Sequence, residues 1–223
     1  MEENDVQLLP QLIRLPKRDA VILAAGDFPS SSLALETLRK VPHIVCCDGA
    51  YRQLHLSGME ADAVVGDGDS LTTEEKVNLK QLLHLVPEQE TNDLTKAVRY
   101  ALSQGWHRLL IMGATGKRED HTLGNLSLLA HYQAEGLDVA LLTDHGLFCV
   151  CQGSGTYASF PSQQISVFNL SSRVLSSRGL VYDCYPFEEI WQGTLNEAQN
   201  TEFSIQADGC YVIFFLAGSK VEN

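Results

Sequence analysis

The chain has 223 residues, of which 44% are hydrophobic and 20% charged, a composition suited to one large globular domain or two small ones. Its formal net charge is −12 with only 16 lysines and arginines. No basic run occurs that could displace counterions from a nucleic acid, and no apolar stretch approaches the ~20 residues that cross a membrane. We therefore expect neither a nucleic acid nor a membrane as a partner.

The start of the chain and its cysteines bear on the cellular compartment. Residues 1–18 contain no apolar segment followed by a small-residue cleavage site, so we expect a cytoplasmic protein. No CxxC spacing occurs among the six cysteines, which are Cys46, Cys47, Cys149, Cys151, Cys184 and Cys210. We expect reduced and mostly buried thiols, and neither disulfides nor a zinc site.

Short apolar runs alternate with amphipathic segments in the first part of the chain. Runs that end in Gly, Asp or Thr, as buried parallel strands do, occupy residues 20–26, 43–48, 62–67, 109–113 and 138–143. Capping residues or helical spacing of apolar residues predict helices over 30–40, 72–83 and 92–103. The alternation predicts an α/β domain with a parallel sheet over residues 1–143.

The pattern changes from residue 144 onward. Short runs rich in β-branched and aromatic residues are separated by Gly, Ser, Pro and Asn, and they occupy residues 147–157, 164–170, 174–184 and 202–216. These runs predict an all-β domain over residues 144–223. Such a small module is expected to pack on the first domain or on a partner chain.

Acidic residues end the predicted strands or begin the helices that follow them: Asp48, Asp67, Asp69, Asp93 and Asp120. In open α/β sheets the ligand lies beyond the carboxyl ends of the strands. Each residue alone could be an ordinary helix cap or turn former. Converging carboxylates repel one another unless a cation lies among them, so the set predicts a Mg²⁺ site. Gly66 and Gly68 would let the turn bend so that Asp67 and Asp69 reach one metal.

A glycine-bearing loop at residues 113–118 supplies groups of the opposite charge. Its backbone N–H groups, Lys117 and Arg118 suit phosphate oxygens, although neither the Walker spacing nor GxGxxG occurs. Lys96, on the predicted helix that begins near Asp93, is a further phosphate-binding candidate. The alternative for Lys96 is an ordinary solvated lysine on a helix.

Four segments in order, CCDGA, VVGDGDS, PEQETNDLTKA and GATGKREDHTLGN, resemble the motif series of the thiamine pyrophosphokinases. The resemblance covers residues 26–129 well and the later residues more loosely. It implies a Rossmann-like α/β domain over 1–143 that binds ATP and magnesium, and a β-sandwich over 144–223 that binds thiamine. It also implies a homodimer with the thiamine site at the subunit interface, and transfer of diphosphate from ATP to the thiamine hydroxyl with release of AMP.

The resemblance also implies roles for individual residues. The metal ligands would be Asp48, Asp67, Asp69 and Asp93. The residues that take part in catalysis would be Asp67, Asp69, Asp93, Arg118 and Asp120, with Asp93 as the candidate proton acceptor. Substrate-binding positions would include Asp48, Gln89, Asn92, Lys96 and Asn125, and His121 would have a structural or phosphate-contact role. Three positions depart from the family pattern, since Ala50 and Lys117 replace glycines and Gly68 replaces a bulky residue.

The thiamine side of the site is matched less closely. Thr194 and Asn196 are the nearest match to a family motif of Thr, Ser and Asn. Thiamine is cationic and aromatic, so an aromatic face suits it, and Trp191 is a candidate for that face. Burial within the β domain is the more common fate of such a tryptophan.

Two other functions fit parts of the pattern. A phosphohydrolase could use Asp67 of the strand-end DxD as a nucleophile, forming an aspartyl-phosphate and releasing inorganic phosphate. A nucleotide or thiamine sensor would bind these ligands without forming AMP. The complete set of acidic residues argues against a sensor.

Overall fold

The computed structural model describes residues 9–11 and 16–218, which fall into two units. The first, here called the α/β unit, is Lys17–Asp144. The second, here called the β unit, joins residues 9–11 and 16 to residues 145–218. None of the helices in the described part of the chain is both long and apolar enough to cross a membrane.

Six parallel strands form the sheet of the α/β unit, in the order β6-β5-β1-β2-β3-β4. They are β1 (Ala20–Leu23), β2 (Ile44–Cys47), β3 (Ala63–Gly66), β4 (Leu83–Leu85), β5 (Arg108–Met112) and β6 (Asp138–Leu142). All five predicted strands are confirmed. They were recognisable because nearly every residue in them is buried.

Five helices of the α/β unit alternate with its strands: α1 (Ser32–Lys40), α2 (Tyr51–Leu56), α3 (Thr73–Asn78), α4 (Asp93–Ser103) and α5 (Glu119–Ala134). Side-chain oxygens cap α1, α3 and α4, with Asn92 accepting from the Thr95 N–H at the start of α4. The helices predicted over 30–40 and 92–103 are confirmed. The prediction over 72–83 is wrong beyond Asn78, because the chain turns there and enters the half-exposed edge strand β4.

The β unit contains two antiparallel sheets, ordered β11-β9-β13-β7 and β10-β12-β8. Their strands are β7 (Gly146–Gln152), β8 (Gly155–Ala158), β9 (Gln164–Asn169), β10 (Leu175–Arg178), β11 (Asn196–Glu197), β12 (Glu202–Ala207) and β13 (Cys210–Leu216). Rings of Tyr157, Phe203 and Phe215 pack between the sheets with centroids 5.5–6.3 Å apart. The predicted C-terminal β region is confirmed.

The first described residues join the β unit, whereas the sequence pattern grouped them with the α/β domain. The buried Gln11 side chain donates to the Ala158 carbonyl at 2.5 Å and to the Gln163 side chain at 2.9 Å. A buried amide needs such partners, and these lie about 150 residues away in sequence. Nothing in the local sequence around Gln11 signals this pairing.

Four of the six cysteines are buried: Cys46, Cys47, Cys151 and Cys184. Burial raises the pKa of Cys151 to about 12 and that of Cys47 well above its ordinary value. These thiols therefore stay protonated and behave as small apolar side chains. The expectation that most of the cysteines are buried is confirmed.

Asp19 connects the start of β1 to the start of β5. We expect Asp19→Asn to lower the free energy of unfolding at pH 7 by about 1 kcal/mol, a value that allows for solvent screening. Its carboxylate accepts from the Arg108 side chain and from the backbone N–H groups of His107 and Arg108. The Arg108 hydrogen bond is the main cause that lowers the Asp19 pKa from 3.8 to about 2.

A carboxyl group whose pKa is lower in the folded than in the unfolded state stabilises the fold at pH values above its unfolded-state pKa. That stabilisation is lost as the pH falls through the folded-state pKa. The difference between wild type and Asp19→Asn should therefore shrink to about half by pH 3. Urea unfolding of both proteins at pH 7 and pH 3 measures it. An unchanged difference at the two pH values would show that the charge of Asp19 contributes nothing.

Candidate functional site

A cavity of about 450 Å³ lies at the carboxyl-end edge of the parallel sheet, within the α/β unit. The segments that follow β1, β2, β3 and β5 line it, together with the first turns of α4 and α5. This is the position at which ligands bind in open α/β sheets. Three carboxylates and three cations face the cavity: Asp48, Asp67, Asp93, Lys96, Lys117 and Arg118.

Most of the site residues predicted from the sequence meet at this cavity. Those that line it are Asp48, Asp67, Gln89, Asn92, Asp93, Lys96, Arg118 and Asn125, and His121 lies there too. Asp69 and Asp120 do not line it, and both are exposed. The candidates for the thiamine side, Trp191, Thr194 and Asn196, lie in the β unit.

Asp48, directly after β2, is the most buried carboxylate of the cavity, at 2% exposure. Its Oδ2 accepts from the Gly68 N–H at 2.9 Å. Burial, followed by the charge of Asp93, raises the pKa of Asp48 above its ordinary value. Gly66 makes room for this carboxylate, since a Cβ there would lie 2.7 Å from the Asp48 Cγ.

Asp67, in the turn after β3, is held in its ionised form. One oxygen accepts from the Asp69 N–H at 2.9 Å, and the other accepts from the Gln89 Nε2 at 3.1 Å. The Asp69 bond and then the Gln89 bond lower the pKa of Asp67. Gly68 has φ +82°, a conformation that side chains disfavour, so the turn requires a glycine at this position.

Lys96 is buried, at 3% exposure, although it lies on a helix. Its Nζ donates to the Asp93 Oδ1 at 3.1 Å. Burial lowers the pKa of Lys96, but the hydrogen bond and charge of Asp93 outweigh it and leave the pKa above the ordinary value. The interpretation of Lys96 as a solvated lysine is therefore wrong, because the α4 face that carries it turns inward.

Hydrogen bonds of side-chain amides link α4 to the loop 113–118, the candidate for phosphate binding. Asn92 Oδ1 caps α4, and its Nδ2 donates to Asn125 Oδ1 at 3.2 Å. Asn125 Nδ2 donates in turn to the Ala114 carbonyl at 2.8 Å. These two predicted substrate-binding residues therefore fix the spacing between the two sides of the cavity.

The loop 113–118 is braced by the segment after β1. The N–H groups of Gly26 and Asp27 donate to the carbonyls of Gly113 and Thr115 at 2.7 and 2.9 Å. At its end, the Arg118 guanidinium binds Asp120 through two hydrogen bonds of 3.0 and 2.5 Å. That ion pair lowers the pKa of Asp120 to about 2. Asp120 thus contacts a residue of the cavity without lining the cavity itself.

The carboxylates suit a magnesium ion that is shared with a substrate. Among the described residues no group of three or more His, Cys, Asp or Glu side chains forms a ready metal site. Mg²⁺ is commonly held by one or two carboxylates, with water and substrate phosphates completing the octahedron. Asp67 fits this mode, because it is ionised, lines the cavity and has oxygen ligands of the kind that Mg²⁺ prefers.

The candidates in the β unit differ in what their side chains do. Trp191 is 70% exposed, so burial within the β domain is not its fate. Thr194 Oγ1 donates to the Trp191 carbonyl at 2.7 Å. Asn196 is buried and its amide bonds the backbone N–H and carbonyl of Tyr182 at 3.1 and 2.8 Å. The Asn196 side chain thus holds the loop rather than facing solvent.

Some residues at the cavity were not singled out from the sequence. Ser70 and Thr91 line it, as do Ala24, Ala25 and Gly26 after β1. Ser70 lies in the quoted VVGDGDS segment, and the run 20–26 ends at Gly26, so strand-end position was the available signal. Uncharged residues such as these carry no chemical signature of their own in a sequence.

Comparison with known proteins gives two family matches. Residues 34–141 match the model described as "Thiamin pyrophosphokinase, catalytic domain", and residues 146–214 match "Thiamin pyrophosphokinase, substrate-binding domain". A search of curated proteins gives no significant match.

Solved structures share the fold at low sequence identity. A thiamin pyrophosphokinase family protein from Enterococcus faecalis is 21% identical with a TM-score of 0.75, over 91% of this chain and 99% of that one. Thiamine pyrophosphokinase from Bacillus subtilis is 20% identical with a TM-score of 0.72, over 90% of this chain and 99% of that one. Thiamin pyrophosphokinase from Candida albicans is 18% identical with a TM-score of 0.73, over 90% of this chain and 89% of that one. The two family matches together span well over half of the chain, which belongs to the thiamin pyrophosphokinase family.

Proposed function

We propose that the cavity of the α/β unit transfers the diphosphate of ATP to the hydroxyl of thiamine and releases AMP, the reaction of the family. The observation that carries this proposal is the pairing of three carboxylates with three cations at the carboxyl-end edge of the sheet. The carboxylates suit a metal and a proton transfer, and the cations suit a polyphosphate. All six charged residues lie within the catalytic-domain match at residues 34–141.

In the proposed step the thiamine hydroxyl oxygen attacks the β-phosphorus of ATP. A new O–P bond forms, the bond from that phosphorus to the bridging oxygen of AMP breaks, and AMP leaves with the electron pair. Asp93 accepts the hydroxyl proton in this proposal, because it lines the cavity and keeps one oxygen, Oδ2, clear of the Lys96 hydrogen bond. Catalysis of this kind rests on positioning and charge stabilisation.

Lys96 and Arg118 stabilise the charge on the phosphates in this scheme. Lys96 is held by Asp93 and is buried, so its ammonium approaches the substrate in a fixed orientation. Arg118 is exposed and bound to Asp120, which orients the guanidinium before substrate arrives. Gln89 holds Asp67, and Asn92 and Asn125 link the start of α4 to the loop 113–118, through the hydrogen bonds described above.

Magnesium would be held by Asp67 and Asp69, directly or through water, with Asp48 and Asp93 completing the acidic surroundings. When bound, the ion neutralises phosphate charge and orients the polyphosphate. Asp69 is exposed beside the cavity, and its N–H already bonds Asp67, so the two residues share one turn.

Thiamine would be bound by the β unit, a β-sandwich in this proposal, with Trp191, Thr194 and Asn196 forming or supporting the receptor at the interface of a homodimer. Exposed apolar side chains in the β unit support such an interface: Tyr182, Ile190, Trp191 and Leu195. Asn196 would act by holding the loop at Tyr182. The four buried cysteines, Cys46, Cys47, Cys151 and Cys184, support a reducing, cytoplasmic location.

Incubating the protein with Mg²⁺, ATP and thiamine should yield equal amounts of AMP and thiamine diphosphate, quantified by chromatography. Asp67→Asn and Asp69→Asn should lower the rate by about 100-fold, because each removes a negative oxygen from the proposed metal site. Glu74→Gln, on the exposed side of α3, is the control and should retain the wild-type rate.

The same assay separates the alternatives. Inorganic phosphate released without thiamine, with a phosphoaspartate trapped on the protein, would establish the hydrolase. Both oxygens of Asp67 are engaged by Asp69 and Gln89, which disfavours it as a nucleophile. Binding of ATP or thiamine without AMP formation would establish the sensor and contradict the transferase.

Thiamine should quench the fluorescence of Trp191 and leave that of Trp106 unchanged. The chain has two tryptophans, and Trp106 belongs to the α/β unit, where its ring stacks on His43 at 4.3 Å. Titration of thiamine into Trp106→Phe, which retains Trp191, should therefore lower the emission, whereas Trp191→Phe should show no change. Equal quenching in the two variants would remove Trp191 from the thiamine site.

A further inference from the structure

Lys117 lies in the loop 113–118 in a backbone conformation that lysine disfavours. Its φ is +56°, in the left-handed region where a Cβ crowds the backbone and glycine is favoured. The resemblance described from the sequence places a glycine at this position. The lysine therefore occupies this position at a conformational cost that a glycine would avoid.

The side chain of Lys117 crosses from the loop to the segment after β1. Its Nζ donates to the Ala25 carbonyl at 2.8 Å, and both residues line the cavity. This hydrogen bond is made to a neutral oxygen at an exposed site. If the Lys117 Nζ bound a negatively charged oxygen instead of the Ala25 carbonyl, the hydrogen bond would be stronger.

The other two cations of the cavity already have charged partners. Lys96 pairs with Asp93 at 3.1 Å, and Arg118 pairs with Asp120 at 2.5 Å. Within residues 9–11 and 16–218, Lys117 forms no ion pair, so its positive charge is balanced by no contacting carboxylate. An incoming polyanion can therefore engage Lys117 without first breaking a salt bridge.

We propose that Lys117 is an additional nucleotide-binding residue, whose ammonium leaves the Ala25 carbonyl and binds the polyphosphate of ATP. The proposal deepens the proposed function and rests on it, since it takes ATP as the ligand of this cavity. Lys117 thereby supplies the positive charge that the glycine expected from the family pattern would lack. Its contribution depends on the length and charge of the phosphate chain.

Isothermal titration of the full chain with Mg²⁺ and α,β-methylene-ATP, which cannot release AMP, tests the proposal. Lys117→Met and Lys117→Gly should raise the Kd by about ten-fold, the worth of one charge-assisted hydrogen bond. The Kd for AMP should change by less than about two-fold, because AMP lacks the polyphosphate. Lys117→Arg should keep most of the affinity.

Two controls separate phosphate binding from folding and from net charge. Lys117→Gly should melt at or above the wild-type temperature, because glycine relaxes the left-handed conformation. Lys80→Met removes the same charge from an exposed position outside the cavity and should leave both Kd values unchanged.

An unchanged Kd for the ATP analogue in Lys117→Met would overturn the proposal. Equal weakening of the analogue and of AMP would also overturn it, since Lys117 would then only brace the loop against Ala25. Failure of the wild-type protein to bind the analogue would contradict the proposed function as well. Normal turnover by the wild-type protein, together with an unchanged Kd for the analogue in the Lys117 variants, would contradict only the role of Lys117.

Discussion

The ion pair between the buried Lys96 and the partly exposed Asp93 is the contact on which the site depends. Asp93 and Asp48 are close enough for the charge of Asp93 to raise the pKa of Asp48, which burial raises already. Without an opposing charge, carboxylates placed so near one another would repel strongly. Lys96 supplies that charge from a side chain with 3% exposure, and its charge also lowers the pKa of Asp67. Loss of the Asp93 carboxylate would leave the buried charge of Lys96 without this partner.

The same contact explains how an acidic chain could accept a polyanion. The net charge of −12 belongs to the whole molecule, whereas the cavity is lined by three carboxylates and by three lysine or arginine side chains. Two of the three basic groups are oriented by an acidic partner. Glycines at positions 66 and 68 bring the acidic groups together, because a side chain at either position would collide with its neighbours. Charge balance and close backbone approach therefore act together at one edge of the sheet.

The sequence was informative wherever burial was complete on both faces of an element. Strands β1, β2, β3, β5 and β6 are near-continuous apolar runs, and the rule that ligands lie beyond strand ends brought Asp48, Asp67 and Asp93 to one predicted site. Strand β4 escaped prediction because it is a half-exposed edge strand of three residues. The helix predicted over 72–83 was too long for the same reason, since its last residues belong to that edge.

Side-chain direction and long-range partners could not be predicted from spacing. Asp69 and Asp120 belong to the quoted motifs, yet neither lines the cavity, because a turn or a helix start sets the direction of each residue separately. The burial of Lys96 depends on which face of α4 meets the sheet. Gln11 bonds residues that follow it by about 150 positions. Lys117 was a phosphate-binding candidate from the sequence, but its left-handed conformation and its lack of an ion pair within the described residues could not be predicted from spacing.

The most direct test of the central claim is to map where the nucleotide binds, by following backbone amide NMR shifts as Mg²⁺ and α,β-methylene-ATP are added to ¹⁵N-labelled protein. The account predicts the largest shifts at the cavity edge, in Asp48, Gly68, Gly116 and Lys117, with the N–H of Gly68 reporting through its bond to Asp48. The largest shifts could instead fall in the β unit, around the separate cavity lined by Ser176, Arg178 and Ser204. That result would contradict the assignment of the nucleotide site to the α/β unit.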